Sequence, residues 1–446
     1  IKKDSNKLIG VRKASPLILG VGKNEFFLAS DIPAFIEYTK NVIFIEDNEL
    51  VIIDDKVRIK NFQTGKNIIK KIKKIDLSFE QIEKGKFKHF MLKEIHEQPK
   101  SLIDTLSGRI INNKVFFEDL KFSDYYLINV KRIIIIACGT SYYASLIGKF
   151  IIESLAKIPV EVDYASEFRY RNPIVTKKDL VIAISQSGET ADTLAAVREA
   201  KNKGAKVLSI CNVLGSSITR ESDSNLYTRA GIEIGVASTK AFTSQLGVLY
   251  LFGIYLAQIY KTLPEDHLSE IIDHLKKIPE QMKLLLNKKE EIIKISEKYF
   301  EKSNVLFLGR GINYPIALEG ALKLKELSYI YAEGYPAAEI KHGPIALIDD
   351  KMPVVIIAIK NVLYPKIVSN IQEIKSRNGI IITIATEGDK EINKISEDVI
   401  YVPKTSELLY PFLTIIPLQL LAYFISDKKG CDIDKPRSLA KSVTVE

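Results

Sequence analysis

The sequence has 446 residues, 46% hydrophobic and 27% charged, which predicts a globular protein of two or three domains. Its net charge of +9 comes from scattered lysines without a nucleic-acid-binding motif, so we expect no nucleic-acid partner and favour a small anionic substrate. Three widely spaced cysteines (Cys138, Cys211 and Cys431) argue against a disulfide framework and a zinc site, and they favour a reducing cytoplasm.

The amino-terminal part of the sequence is β-rich. Runs of β-branched and aromatic residues alternate with turn residues, and they predict strands at 16–21, 26–29, 42–45, 50–53 and 57–61. After a lysine-rich connector, residues 89–97 predict an amphipathic helix, which we expect Pro99 to end. We place domain boundaries at 1–65 for the β-rich segment and 66–100 for the connector and helix. The sequence starts at Ile1 without an initiator methionine, and we interpret it as part of a longer or processed polypeptide.

From residue 132 onwards, fully apolar strands alternate with helices. We predict strands at 133–137, 180–184 and 207–211 and helices at 142–155 and 190–202. This alternation indicates a parallel sheet covered by helices on both faces, which we assign to a domain at 101–262. Residues 263–300 then predict one or two long connecting helices. No apolar run reaches the ~18 residues that cross a bilayer; the richest, 408–425, predicts a buried helix, so we expect no membrane partner.

The pattern then restarts at a constant spacing. Gly311 stands 172 positions after Gly139, and each follows an apolar strand. The same spacing pairs residues 337–342 with 165–170 and residues 354–357 with 182–185. We interpret this as an internal duplication, with a second domain at 263–428 and a carboxyl-terminal tail at 429–446.

A hydroxyl-rich loop occurs in the first copy only. Ser185, Gln186, Ser187 and Thr190 follow an apolar strand and precede a helix, where free backbone N–H groups favour an anion. Gly188 lets the backbone approach a ligand closely. No lysine completes a Walker A motif, so we predict that the loop holds the phosphate of a substrate, whereas simple helix capping needs one hydroxyl.

Two further turns are candidates for the same crevice. Cys138, Gly139, Thr140 and Ser141 end the first strand and open a helix, which places them at the same edge of the sheet. Ala237 and Ser238 precede another apolar helix, where Ser238 either lines the crevice or caps the helix.

Candidate chemical groups lie in the second copy. Glu319, Lys323 and Glu326 share one face of a helix whose other residues must be buried, which favours a site over a surface salt-bridge ladder. His342 lies in a Gly-Pro loop, whereas the other four histidines fall in charged helical stretches.

Together these residues resemble the glucosamine-6-phosphate synthases, the glutamine–fructose-6-phosphate aminotransferases. The resemblance covers nearly the whole chain, at 137–141, 167–171, 185–194, 233–242, 319–329, 341–347 and 436–446. It implies an α/β fold with two tandem SIS-type doubly wound parallel-sheet domains. Residues 15–17, 20–22 and 29–31 resemble the last part of an Ntn-hydrolase glutaminase domain, so the β-rich segment is a remnant of that domain. The nucleophilic cysteine and glutamine-binding loops of that domain have no counterpart here, so we do not expect this sequence alone to hydrolyse glutamine.

The resemblance also implies a reaction and roles for residues. Fructose 6-phosphate and ammonia, drawn from glutamine in the full-length enzyme, give glucosamine 6-phosphate, the first step of hexosamine synthesis, without a cofactor or metal. His342 opens the sugar ring from the neighbouring subunit of a homodimer, Lys441 forms a Schiff base at C2, Glu326 moves a proton from C1 to C2, and Lys323 stabilises charge on oxygen. The substrate-binding residues implied are Cys138, Gly139, Thr140, Ser141, Ser185, Gln186, Ser187, Thr190, Ala237, Ser238 and Ala440.

The lysine role requires the tail to fold over the crevice, and we expect the side chains of Val443 and Val445 to anchor it. Two alternatives stay open at this point. One is an SIS-domain aldose–ketose isomerase or deglycase that does not use glutamine, and the other is a sugar-phosphate sensor. The glutaminase-like remnant argues against the first. The combination of Glu326, His342 and Lys441, with no helix-turn-helix, argues against the second.

Overall fold

A computed structural model describes residues 7–13, 16–30, 34–75 and 83–444. Ser15 and Asp31, from the glutaminase-like stretches, and Val445, a predicted tail anchor, lie outside these residues.

The amino-terminal segment forms two antiparallel sheets of four strands each. The strands are β1 (Leu8–Arg12), β2 (Leu17–Val21), β3 (Phe26–Ala29), β4 (Asn41–Ile45), β5 (Glu49–Ile53), β6 (Val57–Asn61), β7 (Asn67–Ile68) and β8 (Lys73–Lys74). Their orders are β1-β5-β6-β7 and β3-β2-β4-β8. The five predicted strands are present within one residue at each end. Strands β1, β7 and β8 were not predicted, because none of them carries an alternating apolar pattern. Strand β1 is largely exposed, β7 has only two residues, and β8 consists of two lysines.

Helix α1 (Phe90–Leu106) runs through Pro99, so the prediction that Pro99 ends it is wrong. A proline inside a helix leaves the carbonyl four residues earlier without its usual donor. Here the side-chain amide of Gln98 donates to that carbonyl, the oxygen of Ile95, at 3.0 Å. Leu102 and Leu106 are buried beyond the proline, so packing also favours the longer helix.

The first copy is a five-stranded parallel sheet, as the apolar strands predicted. After the hairpin of β9 (Ile110–Ile111) and β10 (Lys114–Val115) and helix α2 (Asp124–Ile128), its strands are β11 (Arg132–Ala137), β12 (Val160–Tyr164), β13 (Asp179–Ser185), β14 (Lys206–Cys211) and β15 (Ser224–Tyr227). Its helices are α3 (Gly139–Ala156), α4 (Ala165–Phe168), α5 (Ala191–Asn202), α6 (Ser217–Glu221) and α7 (Lys240–Tyr260). The strand order is β12-β11-β13-β14-β15.

Two helices, α8 (Glu265–Asn287) and α9 (Lys289–Tyr299), connect the copies, and the second sheet then repeats the first. It contains β16 (Asn304–Gly309), β17 (Tyr331–Pro336), β18 (Pro353–Ala358), β19 (Ile380–Thr386) and β20 (Asp398–Val402), with α10 (Tyr314–Ser328), α11 (Tyr364–Lys375) and α12 (Tyr410–Lys428). The order β17-β16-β18-β19-β20 matches the first copy strand for strand. The glycines that follow the first strand of each copy, Gly139 and Gly311, have φ values of +53° and +55°. The predicted duplication is therefore confirmed.

The interior between the two sheets is one continuous hydrophobic cluster that draws on both copies and on α1. Two of its helices, α7 and the segment Glu407–Lys428, are long and apolar enough to cross a membrane. In their most apolar windows, 83% and 89% of the residues are buried inside the protein, so both helices serve as core here.

Candidate active site

The hydroxyl-rich loop between β13 and α5 is held in a tight, internally bonded shape. Ser185 Oγ lies 3.1 Å from Thr190 Oγ1 and accepts from the N–H of Gly188 at 3.0 Å. Ser187 Oγ accepts from the N–H of Glu189 at 3.2 Å. Ser185 is buried, whereas Gln186, Ser187 and Thr190 form a half-buried rim that remains partly accessible. The start of α5 lies directly behind this rim.

Gly188 is required at the centre of the loop for two reasons. Its φ is +67°, a backbone conformation that residues with a Cβ atom rarely adopt. A Cβ at this position would also lie 2.0 Å from Ser216 Oγ and 2.7 Å from the sulfur of Cys211. The loop therefore sits directly on the end of β14 and the start of α6. Burial raises the pKa of the Cys211 thiol to about 11, so this cysteine acts as packing under the loop.

An arginine of the amino-terminal segment supports the same loop. Arg12, on β1, is 3% exposed, and its guanidinium lies 3.3 Å from a carboxylate oxygen of Glu189 and also donates to the hydroxyl of Ser217. The other carboxylate oxygen of Glu189 accepts from the N–H of Ser217 at 2.9 Å. Arg12 was not among the predicted site residues, because it is separated from Glu189 by 177 positions and belongs to no recognised motif.

The two copies meet at the helix that carries the predicted acid and base groups. Lys323 Nζ lies 2.6 Å from a carboxylate oxygen of Glu326 and donates to the hydroxyl of Thr140, from the first copy, at 3.1 Å. Thr140 in turn donates to Glu319 at 3.2 Å. The predicted cluster is therefore joined, and its partner in the first copy is the glycine turn after β11.

Burial governs the charges in this cluster. Glu319 and Lys323 are 0% and 1% exposed. Burial raises the pKa of Glu319 to about 8, against the opposing effect of Lys323. Burial lowers the pKa of Lys323, but the carboxylates of Glu319 and Glu326, with a smaller contribution from Glu233, outweigh it, and the net direction is upward. Lys323 thus stays cationic beside Glu326, the one carboxylate of the three whose side chain is partly exposed, at 22%.

The carboxyl-terminal tail folds onto the hydroxyl-rich loop, the contact that the predicted role of Lys441 needs. Ser442 Oγ lies 2.9 Å from Ser187 Oγ, and the carbonyl of Val443 accepts from the first N–H of α5, at Ala191, at 3.0 Å. The prediction that the Val443 side chain anchors the tail is wrong, because that side chain is 55% exposed. Its backbone carbonyl makes the contact, because an unpaired N–H at a helix start needs an acceptor and a carbonyl oxygen supplies one.

Lys441 lies against a buried carboxylate that the sequence analysis did not single out. Its amine donates to Glu233 at 2.6 Å and to the carbonyl of Gly235 at 2.7 Å. Glu233 also accepts from Ser238 Oγ at 3.0 Å and from the N–H groups of Thr239 and Ala241 at the start of α7. Burial acts to raise the pKa of Glu233, but Lys441 and these N–H groups outweigh it, and the pKa falls below its ordinary value.

Other predicted site residues lie apart from these contacts. Ser141 is buried and accepts from Gln245 of α7 at 3.0 Å, and the Cys138 sulfur lies 3.8 Å from the Thr193 hydroxyl. His342 and Ala440 are exposed, and within the described residues neither side chain makes a hydrogen bond or ion pair with the cluster around Glu326. In the same part of the chain, no group of three His, Cys, Asp or Glu side chains is arranged to hold a metal.

Comparisons with known proteins agree with this architecture. The SIS domain family matches residues 126–255 and 298–425, one match in each copy. The glutamine–fructose-6-phosphate aminotransferase [isomerizing] of Chlorobaculum tepidum is 51% identical over the whole chain, which covers 72% of that protein. The chain belongs to this aminotransferase family.

Further matches place the family in a structural context. The aminotransferase of the same name from Bacteroides thetaiotaomicron is 52% identical, and the chain spans 73% of it. The solved carboxyl-terminal domain of the Francisella tularensis glucosamine-fructose-6-phosphate aminotransferase has a TM-score of 0.77 and 42% identity and covers 79% of this chain, with all of that domain matched. The tagatose-6-phosphate ketose/aldose isomerase of Escherichia coli has a TM-score of 0.64, 18% identity, and coverage of 79% of this chain and 97% of that one. This last likeness shows a shared fold alone.

Proposed function

We propose that this chain is the isomerase part of an isomerizing glutamine–fructose-6-phosphate aminotransferase and converts fructose 6-phosphate and ammonia to glucosamine 6-phosphate. Relatives about half identical over the whole chain carry this name. The observation that carries the proposal is the tail, which places Ser442 and Val443 against the hydroxyl-rich loop and the start of α5, and Lys441 against the buried carboxylate of Glu233.

The phosphate of the sugar occupies the rim formed by Ser185, Gln186, Ser187 and Thr190. The hydroxyls and the start of α5 supply donors without a fixed positive charge, which suits a dianion that must also leave as product. In the described conformation Ser442 and Val443 share this rim. Binding of the phosphate therefore competes with or rearranges the tail contacts at Ser187 and Ala191.

The amine of Lys441 attacks the C2 ketone of the open sugar, and loss of water gives a Schiff base. The attack uses the lone pair of the neutral amine nitrogen. Ammonia then displaces the lysine and gives the imine at C2. The Glu326 carboxylate takes the proton from C1 and returns it to C2, and Lys323, 2.6 Å away, stabilises the negative charge that develops on oxygen in between.

Two features of the proposal reach beyond one chain. His342 opens the ring in the site of a partner subunit in a homodimer, which is consistent with its exposed position. Ammonia comes from glutamine through a glutaminase domain in the full-length protein. We also propose a cytoplasmic location, supported by the three free cysteines, Cys138, Cys211 and Cys431.

The test is formation of glucosamine 6-phosphate from fructose 6-phosphate at high ammonium concentration, with glutamine as the comparison. We expect ammonium-dependent product, and borohydride reduction in the presence of fructose 6-phosphate to attach the sugar to Lys441. A Glu326→Gln variant should still give the adduct but no product, because it lacks the base. Isomerisation at the wild-type rate by that variant, or an adduct at another lysine, would remove the corresponding assignment.

A further inference from the structure

A second buried carboxyl lies behind the Lys441 site, on the helix that joins the amino-terminal segment to the first sheet. Glu94 of α1 is 2% exposed. One of its carboxyl oxygens accepts from the N–H of Ile234 and, at 3.2 Å, from the N–H of Gly235. The other, Oε2, is buried and has no hydrogen-bond partner among the described residues. A buried oxygen without a partner is costly, so its retention calls for an explanation.

The contacts of Glu94 lead directly to Lys441. The Ile234–Gly235 backbone has Glu94 on its N–H side, while the carbonyl of Gly235 accepts from the Lys441 amine at 2.7 Å. A Cβ at position 235 would lie 2.9 Å from Glu94 Oε2, so the carboxyl would have to shift if Gly235 carried a side chain. The Glu94 carboxyl is therefore hydrogen-bonded directly to the backbone segment that holds the lysine amine.

We propose that Glu94 is a positioning residue for Lys441, because its carboxyl fixes the short backbone segment against which the reactive amine is held. The inference rests on the proposed role of Lys441. It adds a requirement for the reaction at Lys441 that neither the hydroxyl-rich loop nor α10 supplies. This requirement is support from α1, which lies outside both sheets. Fructose 6-phosphate need not touch Glu94 for this role.

The charges around Glu94 give the role a second aspect. The groups that face it are Glu233, Lys441 and Lys240, and Lys240 is already paired with Glu97 at 2.6 Å. Burial, aided by Glu233, raises the pKa of Glu94 to about 8. Near neutral pH, Glu94 is therefore largely uncharged and Glu233 is the anion on Lys441. As the pH rises through about 8, Glu94 ionises and a second negative charge appears beside the Lys441 amine.

The test measures the rate at which borohydride traps the sugar on Lys441 in the full chain, which needs no ammonia. We expect Glu94→Ala to lower this rate roughly tenfold or more, because the N–H groups of Ile234 and Gly235 lose their acceptor and the segment that holds the amine is no longer fixed. The KM for fructose 6-phosphate should stay within about twofold, since the hydroxyl-rich loop is untouched. Glu94→Gln keeps an acceptor oxygen and should restore trapping at neutral pH.

The pH profile separates positioning from a merely structural role. Above pH 8 the trapping rate of Glu94→Gln should exceed that of the wild type severalfold, because the amide cannot acquire the second negative charge. The control is Gln98→Ala, a change at an equally buried position of α1 whose side chain bonds to Gln419 of α12 at 2.8 Å. It should lower thermal stability and leave the trapping rate and its pH profile unchanged.

Four outcomes would overturn the inference. Trapping at the wild-type rate in Glu94→Ala would show that the backbone segment needs no support, and an equal loss in Gln98→Ala would show a structural effect only. If Glu94→Ala does not fold, the profile of Glu94→Gln decides, and a profile identical to the wild type contradicts the role. A wild-type protein that gives no adduct at Lys441 removes the assignment of Lys441, and this inference with it.

Discussion

Replacement of Gly188 by alanine should destabilise the hydroxyl-rich loop, because the new side chain meets both backbone strain and crowding. The left-handed φ of +67° costs an alanine about 1–2 kcal/mol. The new Cβ would lie 2.5 Å from the Cβ of Ser216 and 2.7 Å from the sulfur of Cys211, both buried, so a neighbour must move. Overpacking of this kind typically costs a further 1–3 kcal/mol, which gives roughly 2–5 kcal/mol in total.

The matched control is Gly215→Ala. Gly215 has nearly the same φ, +70°, but no atom lies within 4 Å of a Cβ built on it. It should show only the conformational cost, about 1–2 kcal/mol. The assay is the urea midpoint of both variants at equal slope, together with the KM for fructose 6-phosphate, which we expect to rise for Gly188→Ala because Ser187 and Thr190 are displaced. Equal midpoints and equal KM values in the two variants would refute the argument from crowding.

Three further predictions concern charges and subunits. Arg12→Ala should destabilise the chain by about 3–5 kcal/mol and raise the KM for fructose 6-phosphate, because Glu189 loses its buried partner. Arg58→Ala, which breaks an exposed ion pair with Asp54, should cost about 0–1 kcal/mol. Equal urea midpoints for the two variants would contradict this prediction. Glu319 binds a proton more tightly in the folded state, so its contribution lowers stability as pH rises from about 4.5 to 8, by at most about 1.4 kcal/mol per pH unit. Glu319→Gln should reduce the slope in urea titrations by that contribution and leave the similar one of Glu94, whereas an unchanged slope would contradict the argument. Equal mixtures of His342→Ala and Glu326→Gln chains, unfolded and refolded together, should recover about a quarter of wild-type activity if subunits share sites, and no recovery would place each site within one chain.

The fold was predictable where local pattern and tertiary position agree. The apolar run 133–137 in β11 predicts a strand buried on both faces, and the spacing between Gly139 and Gly311 predicts a duplicated unit. The end of α1 was not predictable, because its continuation depends on the side chain of Gln98 replacing the donor that Pro99 lacks. Such a substitution depends on a rotamer, which sequence periodicity does not report.

The site was predictable to the extent that its groups belong to motifs. Lys323 and Glu326 are paired on one face of a helix as predicted, Thr140 joins them from the first copy, and Lys441 folds back onto the first copy. The groups around them were not foreseen. Glu94 reads as one more acid on a charged amphipathic helix, and Arg12, Glu189 and Glu233 become neighbours only through contacts between distant segments.

The continuous hydrophobic cluster has a consequence for how the molecule opens. Because α7 of the first copy and α12 of the second bury their side chains in the same interior, neither sheet keeps a complete core if the other is removed. Backbone amides in β11 and β16 should therefore exchange with solvent through one shared global opening, whereas amides of β1–β8, which pack on two small separate clusters, should open at lower free energy. The repeats are distinct in sequence, but they form a single cooperative folding unit.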